Sequence, residues 1–115
     1  MKAPADWMGS LPEYLVYEAI KKLGYTDGVD FTYQSPQMGG RQEKGGAVLD
    51  FYFPLLNLAI NVQSIYYHYR TGEQRFADAL RQAQLEGMGI RVSYIQEEEA
   101  LRNAYYYTKR ALGGG

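Results

Sequence analysis

Apolar residues recur at helical spacing in three parts of the chain. The first predicted helix begins at Ser10-Leu11-Pro12-Glu13, a capping box with proline in its first turn, and it ends at Gly24. Its predicted core face is formed by residues spaced four apart, Leu11, Leu15, Ala19 and Leu23, joined by Ile20. The capping signals and the periodicity therefore agree on one helix at the start of the chain.

Two further helices are predicted nearer the end of the chain. Residues 72–86 have helical periodicity with Gly87 as the stop, and the residues predicted to face the core are Phe76, Ala77, Leu80 and Ala83. Residues 97–112 begin with glutamates and carry Lys109 and Arg110 near their end, as the helix dipole favours. At most one residue of Tyr105-Tyr106-Tyr107 can face the core. The exposed ones predict a homodimer surface or, as the alternative, a platform for base stacking.

β-Rich segments lie between these helices. Three of them, 31–34, 47–53 and 58–63, follow the first helix, and the fourth, 90–95, precedes the last. The second and third are so close in sequence that they predict an antiparallel hairpin. The order α-β-β-β-α-β-α predicts an α/β fold with a mixed β-sheet flanked by helices. We expect one domain over residues 1–115, with its core at about 9–112 and a flexible tail at 113–115.

Composition narrows the class of protein. The chain has 115 residues, 46% of them apolar and 22% charged, which is typical of a globular protein. It has no cysteine and one histidine, which excludes disulfides, thiolate-bound zinc and sites that need several imidazoles. No apolar run is long enough to span a bilayer, so we expect a soluble, cytoplasmic protein without membrane partners. The net charge of −1 argues against strong non-specific DNA binding but allows a local basic strip.

Polar residues interrupt two of the predicted strands. Strand alternation places Asp50 on the same face as Val48 and Tyr52, and it places Asn61 and Gln63 on the face opposite Leu58, Ile60 and Val62. An aspartate within an apolar stretch is costly to bury unless another group pairs with it. Asn61, Gln63 and a carboxylate from the first helix would complete an oxygen-rich pocket around Asp50. Such a pocket suits Mg²⁺, which binds through one or two carboxylates and keeps several waters.

These motifs together resemble a known nuclease family. Ser10-x-Pro12-Glu13, Gly45-Gly46-x-x-x-Asp50-Phe51, and Ile60-Asn61-Val62-Gln63-Ser64-x-Tyr66-Tyr67-His68 are similar to the very-short-patch repair endonuclease group of the PD-(D/E)xK superfamily. The later segment from Asp78-x-x-Arg81 to Ile95 also fits that group. The resemblance covers roughly residues 9–97. It implies a restriction-endonuclease-like fold and metal-dependent hydrolysis of DNA, of a repair or phage type, in a bacterial or phage-infected cell.

The resemblance also implies a role for each site residue. Asp50 matches the central metal-binding aspartate, and Glu13 matches the helix glutamate that supports the metal or its water. Asn61 and Gln63 occupy the places of the (D/E)-x-K pair, with the backbone of Val62 between them as a further metal ligand. His68 matches a histidine that helps proton transfer. Mg²⁺, or Mn²⁺ in its place, would activate water for an in-line displacement, and the predicted contacts to DNA are Arg41, Lys44 and Arg70.

Two departures from the family pattern leave an alternative open. Position 61 is expected to be acidic, but asparagine brings an oxygen without a charge, and position 63 is often lysine. The pocket therefore keeps two carboxylates, which implies weaker metal binding. The alternative is a catalytically impaired nuclease fold that binds nucleic acid or a protein partner.

Most of these residues also have an ordinary structural interpretation. Glu13 completes a helix cap, and Gln63 can form a hydrogen bond across the sheet. His68 lies among tyrosines, where a structural histidine is common. Arg41 and Lys44 can keep a glycine-rich loop soluble instead of binding phosphates. Asp50 is the residue that a structural role explains least well, because aspartate is disfavoured within a buried strand.

Overall fold

The fold is a mixed four-stranded sheet with helices on both faces. The computed structural model describes residues 2–7, 9–33, 43–44, 47–64 and 71–113, and residues 43, 44, 47 and 48 by their backbone alone. The helices are α1 (Leu11–Lys22), α2 (Gly72–Gly87) and α3 (Glu97–Gly113). The strands are β1 (Thr32–Tyr33), β2 (Glu43–Lys44), β3 (Ala47–Val48), β4 (Phe51–Phe53), β5 (Leu58–Gln63) and β6 (Arg91–Gln96). None of the described helices is long and apolar enough to cross a membrane.

The main sheet has the predicted topology. Its strand order is β1-β4-β5-β6, in which β4 and β5 form the expected antiparallel hairpin and β6 runs parallel to β5. Strands β2 and β3 pair with each other as a separate ladder. The elements that build the main sheet and its helices follow the order α-β-β-β-α-β-α, so the predicted fold class is confirmed.

Each face of the sheet buries its own apolar cluster. Helices α1 and α3 cover one face, where Val16, Ile20 and Ala100 pack against alternate residues of the strands, Phe51, Phe53, Leu58, Ile60 and Ile95. On the other face, Leu85 of α2 packs with Leu49, Ala59 and Ile90. Leu58, Ile60 and Val62 lie on one face as predicted, which leaves Asn61 and Gln63 on the α2 side.

The predicted strand over residues 47–53 is in fact two strands. Strand β3 pairs with β2, whereas β4 belongs to the main sheet, and the chain bends at Asp50 between them. Asp50 therefore lies at the end of β4 and not in the middle of a strand. The bend relieves the conflict between an aspartate and a central strand, because the Asp50 backbone leaves the regular ladder.

The predicted core faces of α1 and α2 need correction. In α1 the buried residues are Pro12, Val16, Ala19 and Ile20, while Leu11 is 36% exposed. In α2 the buried residue is Leu85, while Phe76 is 67% and Leu80 51% exposed. Periodicity identified both helices, but it could not fix how each one is rotated against the sheet. That rotation depends on the strands beneath.

Helix α3 is kinked at Asn103, where the sequence predicted an uninterrupted helix. Asn103 has φ −161° and ψ 77°, and its Oδ1 accepts a hydrogen bond of 3.1 Å from the Tyr106 N–H. Asn103 thus caps a second helical segment. After the kink, Tyr107 packs against the core while Tyr105 and Tyr106 are exposed. The homodimer through these exposed tyrosines stays a prediction.

The kink can be tested by replacing Asn103 with alanine. In a continuous helix this change would stabilise the protein by up to about 0.7 kcal/mol, because alanine has the higher helix propensity. The observed cap reverses the sign of this stability change, because alanine cannot accept the hydrogen bond. We therefore expect Asn103→Ala to lower the free energy of unfolding by about 1 kcal/mol. Denaturation in urea measures the difference, and Asn103→Ser, which keeps a capping oxygen, is the control. A more stable alanine variant would contradict the cap.

Candidate active site

Asp50 and β5 are joined by two reciprocal hydrogen bonds. The pairing of Phe51 with Ile60 places Asp50 opposite Asn61. The backbone N–H of Asp50 donates to Asn61 Oδ1 at 2.8 Å, and the backbone N–H of Val62 donates to Asp50 Oδ2 at 2.8 Å. Each side chain replaces a backbone group that the bend has removed from the ladder. The carboxyl group of Asp50 is thereby held against the backbone of β5 at Val62.

The backbone of Val62 points toward Asp50. In a strand, the N–H and C=O of one residue point toward the same neighbouring strand. Because the N–H of Val62 donates to Asp50, its carbonyl is directed to the same side. The predicted backbone ligand and the predicted metal aspartate therefore face each other.

Glu13 is held in the first turn of α1 by three donors. Its Oε1 accepts hydrogen bonds from the N–H of Ser10 at 3.1 Å and from the Oγ–H of Ser10 at 2.9 Å, which completes the predicted capping box. Its Oε2 accepts a hydrogen bond of 3.0 Å from the hydroxyl of Tyr33. The cap does not exclude a functional role, because the Tyr33 bond turns the second oxygen away from the cap.

The two carboxyl groups are close enough to influence each other. Burial raises the pKa of Asp50, the hydrogen bond from Val62 lowers it, and the negative charge of Glu13 raises it; together these effects move the pKa from 3.8 to about 7. A neighbouring like charge and partial desolvation both disfavour the ionised form of Asp50. A divalent cation would remove both penalties, and this electrostatic setting is typical of a metal or catalytic site.

Gln63 makes the cross-sheet bond that its structural interpretation predicted. Gln96 Nε2 donates to Gln63 Oε1 at 2.6 Å, between paired residues of β5 and β6. Gln96 is the last residue of β6 and directly precedes α3, and its N–H donates to Glu99 Oε1 in the first turn of that helix at 2.9 Å. With its oxygen bound to Gln96, the Gln63 amide presents its NH₂ group on its other side. It can thus donate a hydrogen bond from that group.

Other predicted site residues lie outside the described part of the chain. These are His68, Arg41 and Arg70, and Lys44 is described by its backbone alone. Their roles therefore stay predictions. The sequence did not single out Tyr33 or Gln96, because nothing in the sequence pattern brings β1 to α1 or shows the pairing of β5 with β6.

The donors present suit a small hard cation. Among the described residues there is no group of three or more His, Cys, Asp or Glu side chains that could hold a metal ion. Mg²⁺ needs only one or two carboxylates, because it keeps several waters. Asp50, the carbonyl of Val62 and Oε2 of Glu13 provide such a set, and the mutual repulsion of the two acids favours a cation between them. The residues therefore fit Mg²⁺ or Mn²⁺.

Comparison with known proteins supports the fold. The structure is similar to a solved structure described as Homing Endonuclease I-Bth0305I Catalytic Domain, with a TM-score of 0.63 and 20% sequence identity over 89% of this chain and 90% of that chain. No protein-family model and no curated protein matches the sequence. The nuclease-type fold predicted from the sequence is thus confirmed, while membership of the very-short-patch repair group stays a prediction.

The pKa of Asp50 predicts how stability depends on pH. Because this pKa is raised on folding, the folded protein keeps a proton that the unfolded chain has already lost. The free energy of unfolding should therefore fall as pH rises from about 4 to about 7, by about 2–4 kcal/mol, and then level off. Asp50→Asn should abolish this fall and be the more stable protein at about pH 8.

Chemical denaturation at a series of pH values measures both effects. Asp6→Asn, which removes an exposed carboxylate, is the control for the loss of one negative charge. If the free energy of unfolding of Asp50→Asn falls with pH as much as that of the wild-type protein, another group causes the pH dependence.

Proposed function

We propose that the chain is a metal-dependent DNA endonuclease or nickase of a repair or phage type. The observation that carries the proposal is the Asp50 carboxyl group, which the Val62 N–H binds at 2.8 Å and whose pKa burial and the nearby charge of Glu13 help raise to about 7. Evolution rarely keeps a buried carboxyl next to a second one without a use, because the arrangement costs stability. The similar solved structure is described as the catalytic domain of a homing endonuclease, which supports the same chemistry.

Each residue has a part in the proposed hydrolysis of a phosphodiester bond. Asp50, Glu13 and the backbone of Val62 would hold Mg²⁺ or Mn²⁺, which when bound supplies an activated water and stabilises the leaving oxyanion. Gln63 would orient the attacking water through its NH₂ group. His68 would donate a proton or contact the phosphate, and the phosphates on either side would be bound by Arg41, Lys44 and Arg70.

One observation favours the alternative of an impaired nuclease fold. Asn61 occupies the place of an acidic ligand, and its Oδ1 already accepts the N–H of Asp50 at 2.8 Å. Asparagine performs this structural task without adding charge to the site. In this alternative the fold binds nucleic acid or a protein partner and leaves phosphodiester bonds intact. The alternative and the main proposal therefore differ in whether the protein cleaves DNA.

Nicking of supercoiled plasmid with Mg²⁺ or Mn²⁺ tests the proposal. We expect the wild-type protein to convert supercoiled DNA to open circles. We expect Asp50→Ala to nick at least about 100-fold more slowly, because a metal ligand is removed. Asn61→Asp keeps an oxygen for the Asp50 N–H and restores the third charge, so it should tighten metal binding and raise the rate. Asp6→Asn, which removes an exposed carboxylate in the segment before α1, is the control for charge.

The three proteins separate the two functions. Cleavage that disappears in Asp50→Ala establishes a working metal nuclease. Cleavage by Asn61→Asp alone shows a complete scaffold that the asparagine has disabled. If all three proteins are inactive but retard DNA in a gel, the binding function replaces the nuclease.

A further inference from the structure

We propose that Tyr33 is a positioning residue of the acidic site, which it serves by holding Oε2 of Glu13 in place. This inference rests on the proposed metal-dependent function. The hydroxyl of Tyr33 donates to Glu13 Oε2 at 3.0 Å, from a strand distant in sequence from α1. Tyr33 was not among the residues that the sequence indicated.

The acceptor positions of Glu13 explain why this bond matters. A carboxylate oxygen accepts about two hydrogen bonds. Both positions of Oε1 are occupied by the N–H and the Oγ–H of Ser10. Glu13 can therefore reach a cation, or a water bound to it, only through the remaining position on Oε2. The direction of that position depends on Tyr33.

The hydroxyl of Tyr33 is the donor in its hydrogen bond with Glu13. Burial raises the pKa of its hydroxyl, and the charges of Glu13 and Asp50 raise it further. A tyrosine hydroxyl is protonated at neutral pH in any case, since its ordinary pKa is about 10. The 3.0 Å contact is therefore a hydrogen bond that Tyr33 donates to Glu13. Tyr33 is also paired with Phe51, the residue that follows Asp50 in the chain.

The segment before α1 keeps the Tyr33 ring in position. The ring of Trp7 stacks on that of Tyr33 with centroids 4.7 Å apart and an interplanar angle of 23°, and Phe51 packs at 5.0 Å. Trp7 is itself anchored, because its Nε1–H donates to the carbonyl of Ser10 at 3.1 Å. A methyl group on Gly9 would overlap the Tyr33 hydroxyl. Residues on both sides of the ring thus fix where its oxygen lies.

Tyr33→Phe tests the inference, because it removes the hydroxyl and keeps the ring. We expect the dissociation constant for Mn²⁺, measured by isothermal titration calorimetry at about pH 8, to rise roughly tenfold. Tyr17→Phe is the matched control: Tyr17 belongs to the same aromatic cluster, and its hydroxyl also donates to a carboxylate, Asp27, at 2.9 Å. Both changes should lower the metal-free Tm by similar small amounts, while Tyr17→Phe leaves Mn²⁺ affinity unchanged.

Gly9→Ala provides a second, independent perturbation. Its methyl group should displace the hydroxyl of Tyr33 and weaken Mn²⁺ binding in the same direction as Tyr33→Phe. Gly72→Ala is the control, because nothing lies within 4 Å of a methyl group added there. Weakened binding in both Gly9→Ala and Tyr33→Phe, but in neither control, supports the positioning role.

The outcomes distinguish this inference from the function on which it rests. If the wild-type protein binds Mn²⁺ and Tyr33→Phe binds it equally well, the positioning role is overturned and the metal site stands. If the wild-type protein and Asp50→Ala both fail to bind Mn²⁺, the metal site is overturned, and the role of Tyr33 falls with it.

Discussion

The partly buried carboxyl group of Asp50 is the constraint on which the site depends. Burial and the charge of Glu13 both oppose its ionisation, and the hydrogen bond from Val62 offsets only part of that cost. The chain meets this constraint by bending at Asp50, which lets a side chain take the place of a backbone partner on β5. A cation bound between the two acids would convert their repulsion into attraction, which is the physical basis of the metal site that we propose.

Three separate elements contribute to the site around that carboxyl group, and each is fixed by an ordinary structural interaction. Helix α1 brings Glu13 through its capping box, β5 brings Asn61 and Val62 through the hairpin, and β1 brings Tyr33 through its pairing with β4. The same hydrogen bonds that stabilise the fold therefore orient the site. This dual use explains why a structural interpretation of Glu13 or Asn61 does not compete with a functional one.

The elements that sequence reasoning misjudged share a physical cause. Periodicity detects a helix from the relative spacing of its apolar residues, but Leu11, Phe76 and Leu80 are exposed because the sheet accepts a different side of each helix. Asn103 was read as one residue of a long helix, yet its side chain caps a new segment. In both cases the sequence allows two local arrangements, and the packing of the helix against the rest of the fold selects one of them.

The sequence by itself determined the order of the elements, the antiparallel hairpin and the first capping box, because these follow from local propensity. It also singled out Asp50 as an aspartate in an apolar stretch, because burying a charge is costly. Only the tertiary structure decided that Asp50 lies at a bend, that Tyr33 donates to Glu13 and that Gln96 holds Gln63. Those contacts join residues up to 33 positions apart. Side-chain periodicity carries no information on such pairs, since their geometry is set by sheet register and helix packing.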